Sequence, residues 1–168
     1  MAAGSTYTPI ATNTVSGTST ATVTFSSISG SYTDLIIVAH GSITVNDDTY
    51  VQFNGSGGTA YSGTYLAGNG SAASSGRYTS NDRIVADYTS YPTTTGGSWT
   101  AIYQFMNYSN ATTYKTCLIR SNNAGIGTNA GVHLWSSTAA ITSIALQCTG
   151  TSKWGNGTTF TLYGLAAA

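Results

Sequence analysis

Apolar residues in this chain come in short blocks, alternating or continuous, and Gly- or Asn-rich clusters interrupt them roughly every 8 to 15 residues. Thr, Tyr, Val and Ile, the residues that suit a pleated and half-buried surface, dominate the blocks, and nothing reads as a long helix. Residues 20–26 show the cleanest period of two, with Ala21, Val23 and Phe25 inward and Thr22, Thr24 and Ser26 toward water. Leu35, Ile36, Ile37 and Val38 run together within residues 33–40, which predicts a central strand covered on both faces. Further strands are expected at 49–53, 82–88, 98–107, 112–120, 131–136, 140–148 and 158–164. On the 98–107 strand, Trp99 and Tyr103 alternate inward. Residues 54–76 read as one long Gly/Ser/Tyr loop, and 89–97 (with Pro92), 121–130 and 149–157 read as shorter turns. Many strands without helices in one domain imply two packed sheets or a barrel. The expected fold is all-β, a jelly-roll-like two-sheet β-sandwich over residues 19–168. Residues 1–18 alternate weakly and contain Pro9 and a turn-like patch at 13–17. They are expected to form an N-terminal arm reaching to a neighbouring subunit, or an edge strand near residues 7–11 on the chain's own domain.

Composition then narrows the function. The 168 residues suffice for one domain that buries about two-thirds of its unfolded surface without disulfides or metal. A hydrophobic content of 40% excludes a disordered polar chain. Charged residues make up only 6%, with no Glu, against roughly a quarter in an ordinary soluble domain. With five cationic and five anionic residues the formal net charge is zero, so little repulsion keeps copies apart. Lys115, Lys153, Arg77, Arg83 and Arg120 are scattered rather than clustered, which argues against nucleic acid as a partner. No run approaches the ~20 apolar residues of a membrane-spanning helix. The N-terminus lacks the basic and apolar regions of a secretion signal.

Catalytic and cofactor motifs are weak. Two segments loosely match a dinucleotide fingerprint, Gly55-Ser-Gly-Gly-Thr-Ala and Gly125-Ile-Gly-Thr-Asn-Ala, but neither leads into a helix that could hold a pyrophosphate. No cofactor is expected. His40 and His133 lack a nucleophile elbow around any Ser, and His133 alternates with Val132 and Leu134 as a surface or hydrogen-bonded strand residue would. No catalytic residue is assigned. Asp47 and Asp48, flanked by Asn46 and Thr49, are the weak candidates for Ca²⁺, although their spacing is not that of a Ca²⁺ loop and suits a hairpin turn. Cys117 and Cys148 read as small buried hydrophobes, with a disulfide open only if their strands are neighbours.

The twelve tyrosines and three tryptophans remain. Such side chains suit protein interfaces, because an apolar body carries a polar tip, and they also stack on sugars. Tyr61, Tyr65 and Tyr78, in or beside the long loop, and Tyr7, Pro9 and Ile10, in the arm, are therefore the expected partner-contact residues.

Several motifs follow one another in a recognisable order. They are Asp34-Leu-Ile-Ile-Val, Val51-Gln-Phe-Asn-Gly, Tyr61-Ser-Gly-Thr-Tyr-Leu with Gly68-Asn-Gly, and Met106-Asn-Tyr-Ser-Asn-Ala-Thr-Thr-Tyr-Lys-Thr. Leu134-Trp-Ser-Ser-Thr-Ala-Ala-Ile-Thr-Ser-Ile and Gly157-Thr-Thr-Phe-Thr-Leu-Tyr-Gly-Leu complete the set. Together they resemble a family of small all-β virion structural proteins and fibre domains of tailed bacteriophages. The resemblance implies a homo-oligomeric, trimeric building block on the virion exterior, made in the host cytoplasm, with the major capsid protein or other virion proteins as partners. It carries no catalytic motif. A chain that starts with Met and is barely longer than the domain favours a free-standing capsid decoration (cement) protein. A tail or fibre component, with host-surface carbohydrate as a ligand, is the alternative.

Overall fold

The computed structural model describes residues 6–87 and 99–166, and all regular structure among them is β. Twelve strands follow in order: β1 (Tyr7–Thr14), β2 (Thr22–Phe25), β3 (Asp34–Gly41), β4 (Thr49–Phe53), β5 (Tyr61–Gly68) and β6 (Ala73–Asn81). Then come β7 (Ile84–Val85), β8 (Trp99–Met106), β9 (Lys115–Asn123), β10 (Gly127–Trp135), β11 (Ile144–Cys148) and β12 (Thr159–Leu165). They form two antiparallel sheets, one of eight strands ordered β1-β12-β3-β8-β9-β10-β5-β6 and one of four ordered β2-β11-β4-β7. The protein is an all-β two-sheet sandwich with layers of unequal width. The turn expected at 89–97 and the last residue of the strand expected at 82–88 lie outside the described residues, as do residues 1–5.

The period-two pattern decides which face of each strand meets the other sheet. Val23 and Phe25 of β2, Val51 and Phe53 of β4 and Ile144 and Leu146 of β11 are buried against the large sheet. Leu35, Ile37 and Ala39 of β3, Trp99, Ala101, Tyr103 and Phe105 of β8, and Phe160 and Leu162 of β12 face them. Aromatic rings fill the gap: Phe53 meets Phe105 and Trp135 at centroid separations of 5.4 and 5.5 Å, and Trp154 stacks on Trp99 at 5.7 Å.

Several sequence expectations need correcting. Residues 54–76 are no loop: β5 and the start of β6 occupy much of the segment, and Tyr65 pairs with Gly76 and Gly63 with Tyr78 across the hairpin. The turn expected at 121–130 shrinks to residues 124–126, because Ser121, Asn123 and Asn129 keep the inward alternation with polar side chains that are nonetheless buried. β11 begins only at Ile144. Before it, Asn54 Oδ1 accepts hydrogen bonds from the Thr142 and Ser143 amides at 2.8 and 3.0 Å and holds that stretch out of the ladder. Finally, β3 lies inside the large sheet but is not covered on both faces, since Val38 points outward and is exposed.

Residues 7–14 form β1 and pair antiparallel with β12 at the edge of the chain's own large sheet. The register shifts between Pro9 and Ala11, so Ile10 sits in a bulge. Proline and a bulge both interrupt an edge that would otherwise accept another strand.

Candidate functional site

Four strands in the small sheet cannot cover eight in the large one on both sides, and the large sheet's outer face has no layer over it among the described residues. Its side chains follow from the register. In one row across the strands, Val38 is opposite Ile102, Ile102 opposite Arg120, Arg120 opposite Ala130, and Ala130 opposite Leu66. In the next row, Gln104 is opposite Leu118, Leu118 opposite Val132, Val132 opposite Thr64, and Thr64 opposite Arg77. Leu66, Val132, Leu118 and Val38 are 65%, 46%, 39% and 37% exposed. Leu66, Val132 and Leu118, with Ile102 and Ala130, outline a shallow hollow of about 570 Å³ centred on β9, β10 and β5. A second hollow of about 340 Å³ adjoins it and is lined by Ser62, Thr64, Arg77, Thr116 and Leu134. Contiguous exposed apolar patches mark interaction or ligand-binding sites.

The residues singled out from the sequence are scattered around the molecule rather than gathered here. Tyr61 is in the core, stacked on Trp135, with its hydroxyl accepting from the Phe53 amide at 3.0 Å. That corrects its expected role as a partner contact. Tyr65 and Tyr78 are half-buried because each lies over a glycine of the neighbouring strand: Tyr65 over Gly76, and Tyr78 over Gly63. Tyr78 Oη also bonds His133 Nδ1 at 3.0 Å and accepts from the Val85 amide at 3.2 Å. Tyr7, Pro9 and Ile10 lie on the exposed β1 edge, with the Tyr7 ring edge-on to Tyr163 at 6.3 Å.

His133 is buried on the inner face of β10, and burial lowers its pKa to about 4, so the ring is uncharged at neutral pH. His40 is exposed, with Nδ1 bonded to Thr100 Oγ1 at 3.1 Å. Asp47 Oδ1 accepts from the Asp48 amide at 2.8 Å, while the Asp48 carbonyl takes the Thr149 hydroxyl at 3.0 Å. Among the described residues no third His, Cys, Asp or Glu joins them in a metal-holding group. Gly55 and Gly58 take positive φ in the turn between β4 and β5, and Gly125 sits in the β9–β10 turn; both glycine-rich segments run into strands rather than helices. Cys117 and Cys148 are free thiols on strands of different sheets, and burial raises both, Cys148 to about 12. Trp99, Trp135 and Trp154 are all buried, so the exposed large aromatics among the described residues are the tyrosines Tyr7 and Tyr114.

Sequence reasoning did not find the outer-face residues. The signal was present in the outward-facing alternates of β8, β9 and β10, where Ile102, Leu118 and Val132 stand at positions normally polar in a half-covered sheet. Neither a protein-family model nor a curated protein matches the chain.

Proposed function

We propose that this chain is a structural component of a bacteriophage particle, a decoration protein that binds the capsid exterior and further copies of itself. The observation that carries the binding part is the outer face of the large sheet. It is broad and apolar at its centre, with Arg77, Arg120 and Asp34 as its only Asp, Lys or Arg residues among those described. A surface of this composition gains from being covered, at roughly 25 cal/mol per Å² of apolar area, and has little charge to desolvate. Eight strands at about 4.8 Å spacing also make a face of roughly the size of a standard interface, about 800 Å² per partner. The particle part rests on the ordered motifs from Asp34 to Leu165 and their resemblance to phage structural proteins.

Quantitative mass spectrometry of purified particles tests the reading. A copy number commensurate with the capsid lattice is expected, together with co-sedimentation of the purified chain with capsids that lack it. A copy number in proportion to tail proteins would make it a tail or fibre component, and absence from particles would overturn the assignment.

A further inference from the structure

The self-association within that reading leaves open which surfaces meet. We infer that the outer face of the large sheet receives the 45–48 loop of a second copy, in a head-to-tail contact. This inference rests on the self-association part of the proposed function and on nothing else in it.

The hollow itself describes what would fill it. Its centre is apolar, formed by Leu66, Leu118, Val132 and Ile102, and guanidinium groups stand at two sides, Arg120 in its lining and Arg77 in the adjoining hollow. Neither guanidinium makes an ion pair or hydrogen bond among the described residues. The acidic residue on this face is Asp34, and its Oδ1 already accepts from the Asn107 amide at 2.8 Å. The complementary occupant is an exposed apolar side chain with carboxylates close by.

This chain carries one. Among the described residues the exposed large apolar ones away from the face are Tyr7, Ile10, Val45, Tyr114 and Ile126, and of these only Val45 has carboxylates within three residues, Asp47 and Asp48. Val45 is 47% exposed on the connection from β3 to β4, at one end of the sandwich. The base of that loop is held rigidly: Ile43 bridges to Trp154, Lys153 N donates to Thr44 Oγ1 at 3.0 Å, and Ser152 Oγ donates to the Val45 carbonyl at 2.8 Å. A rigid loop loses little entropy on docking.

Charge also selects this contact over a face-to-face pairing. A twofold stack of two large-sheet faces would bring four arginines together with two aspartates, and like charges across an interface are unfavourable. The head-to-tail contact sets Asp47 and Asp48 opposite Arg77 and Arg120 instead. Repeated contacts of this heterologous type close into rings where the rotation per step closes and run on as open filaments where it does not; a closed ring is the symmetry class of the trimer that the resemblance implies.

Sedimentation velocity of the full chain over a concentration series tests the inference, with thermal melts confirming that each variant folds. The wild-type chain is expected to self-associate. Val45→Lys in the loop and Leu66→Lys on the face, both at exposed positions, should each weaken association by about tenfold or more, as should the paired reversals Arg77→Glu with Arg120→Glu and Asp47→Lys with Asp48→Lys. Combining all four reversals in one chain should restore association. Association that is indifferent to Val45→Lys, or that the fourfold variant does not recover, would overturn the head-to-tail contact while leaving self-association standing. A wild-type chain that stays monomeric at every concentration would remove self-association itself.

Discussion

In the β5–β6 hairpin, Tyr65 with Gly76 and Tyr78 with Gly63 form two cross-strand pairs in which a ring covers the bare backbone opposite. A glycine alone weakens a strand, but a neighbouring aromatic ring laid over it recovers buried area. The two glycines differ in what a methyl group would meet. At Gly63 it would overlap His133 Nδ1 and lie 2.6 Å from the Tyr78 ring, and His133 is itself pressed against Gly131. Gly63→Ala should therefore cost about 1–3 kcal/mol through overpacking, measured as a lower denaturant midpoint at unchanged slope. At Gly76 the obstruction is the far end of the Tyr65 side chain, which can swing away, so Gly76→Ala should cost well under that. His133 yields a second prediction. Its pKa is about 4 when folded and about 6.5 when unfolded, so the unfolded state binds the proton first. The contribution is complete above pH 6.5 and is lost as pH falls from there toward 4, on the order of 3 kcal/mol in all. Melting across that window should show a steeper acid-side fall in the wild type than in His133→Asn. Equal slopes would refute the assignment.

At the scale of elements, β2, β4 and β8 were legible because their inward positions are apolar and their alternation is clean. β5 and β6 were not, since Gly and Ser read as loop residues and the tyrosines read as surface contacts when their cross-strand partners are out of view. β9 and β10 were only partly legible, because Lys115, Ser121, Asn123 and Asn129 are polar yet point inward. Lys115 shows how such a residue is accommodated: its Nζ donates to the Thr113 and Thr138 carbonyls at 2.6 and 3.2 Å and ties two loops together. β1 presents the opposite case. Almost every one of its side chains is exposed, so it contributes ladder bonds and edge cover rather than core. A chain that begins at Val15, which is itself buried, should lose less stability than Gly63→Ala. It should also associate more strongly with rising concentration, because β12 becomes a bare edge. Urea titration and light scattering would check both. A loss of association on removing β1 would instead assign that strand to a neighbouring subunit.

For the molecule as a whole, the unequal widths of the two sheets matter most. Among the described residues a four-stranded layer buries one face of an eight-stranded one and nothing covers the other, so the outward residues of β8, β9, β10 and β5 become a surface rather than a second core. Charge is sparse enough that position outweighs number. The unpaired arginines lie on the large face, while Asp47 and Asp48 lie at the sandwich end and Asp82 is paired with Arg83 at 2.6 Å. If that separation steers copies together, association of the wild-type chain should weaken as salt rises, since exposed charges are screened beyond about 8 Å at physiological ionic strength. Association that strengthens with salt would point to the apolar patch alone.

From its sequence this protein is determined to be all-β and sparsely charged, because strand periodicity and composition are local properties that survive without knowledge of contacts. Which tyrosines are core, which glycines take a ring, and which apolar stripe is left uncovered were decided by tertiary structure alone. Those properties belong to pairs of residues brought together by strand register, such as Gly63 with Tyr78 or Leu118 with Val132, and register is set by which strands neighbour one another.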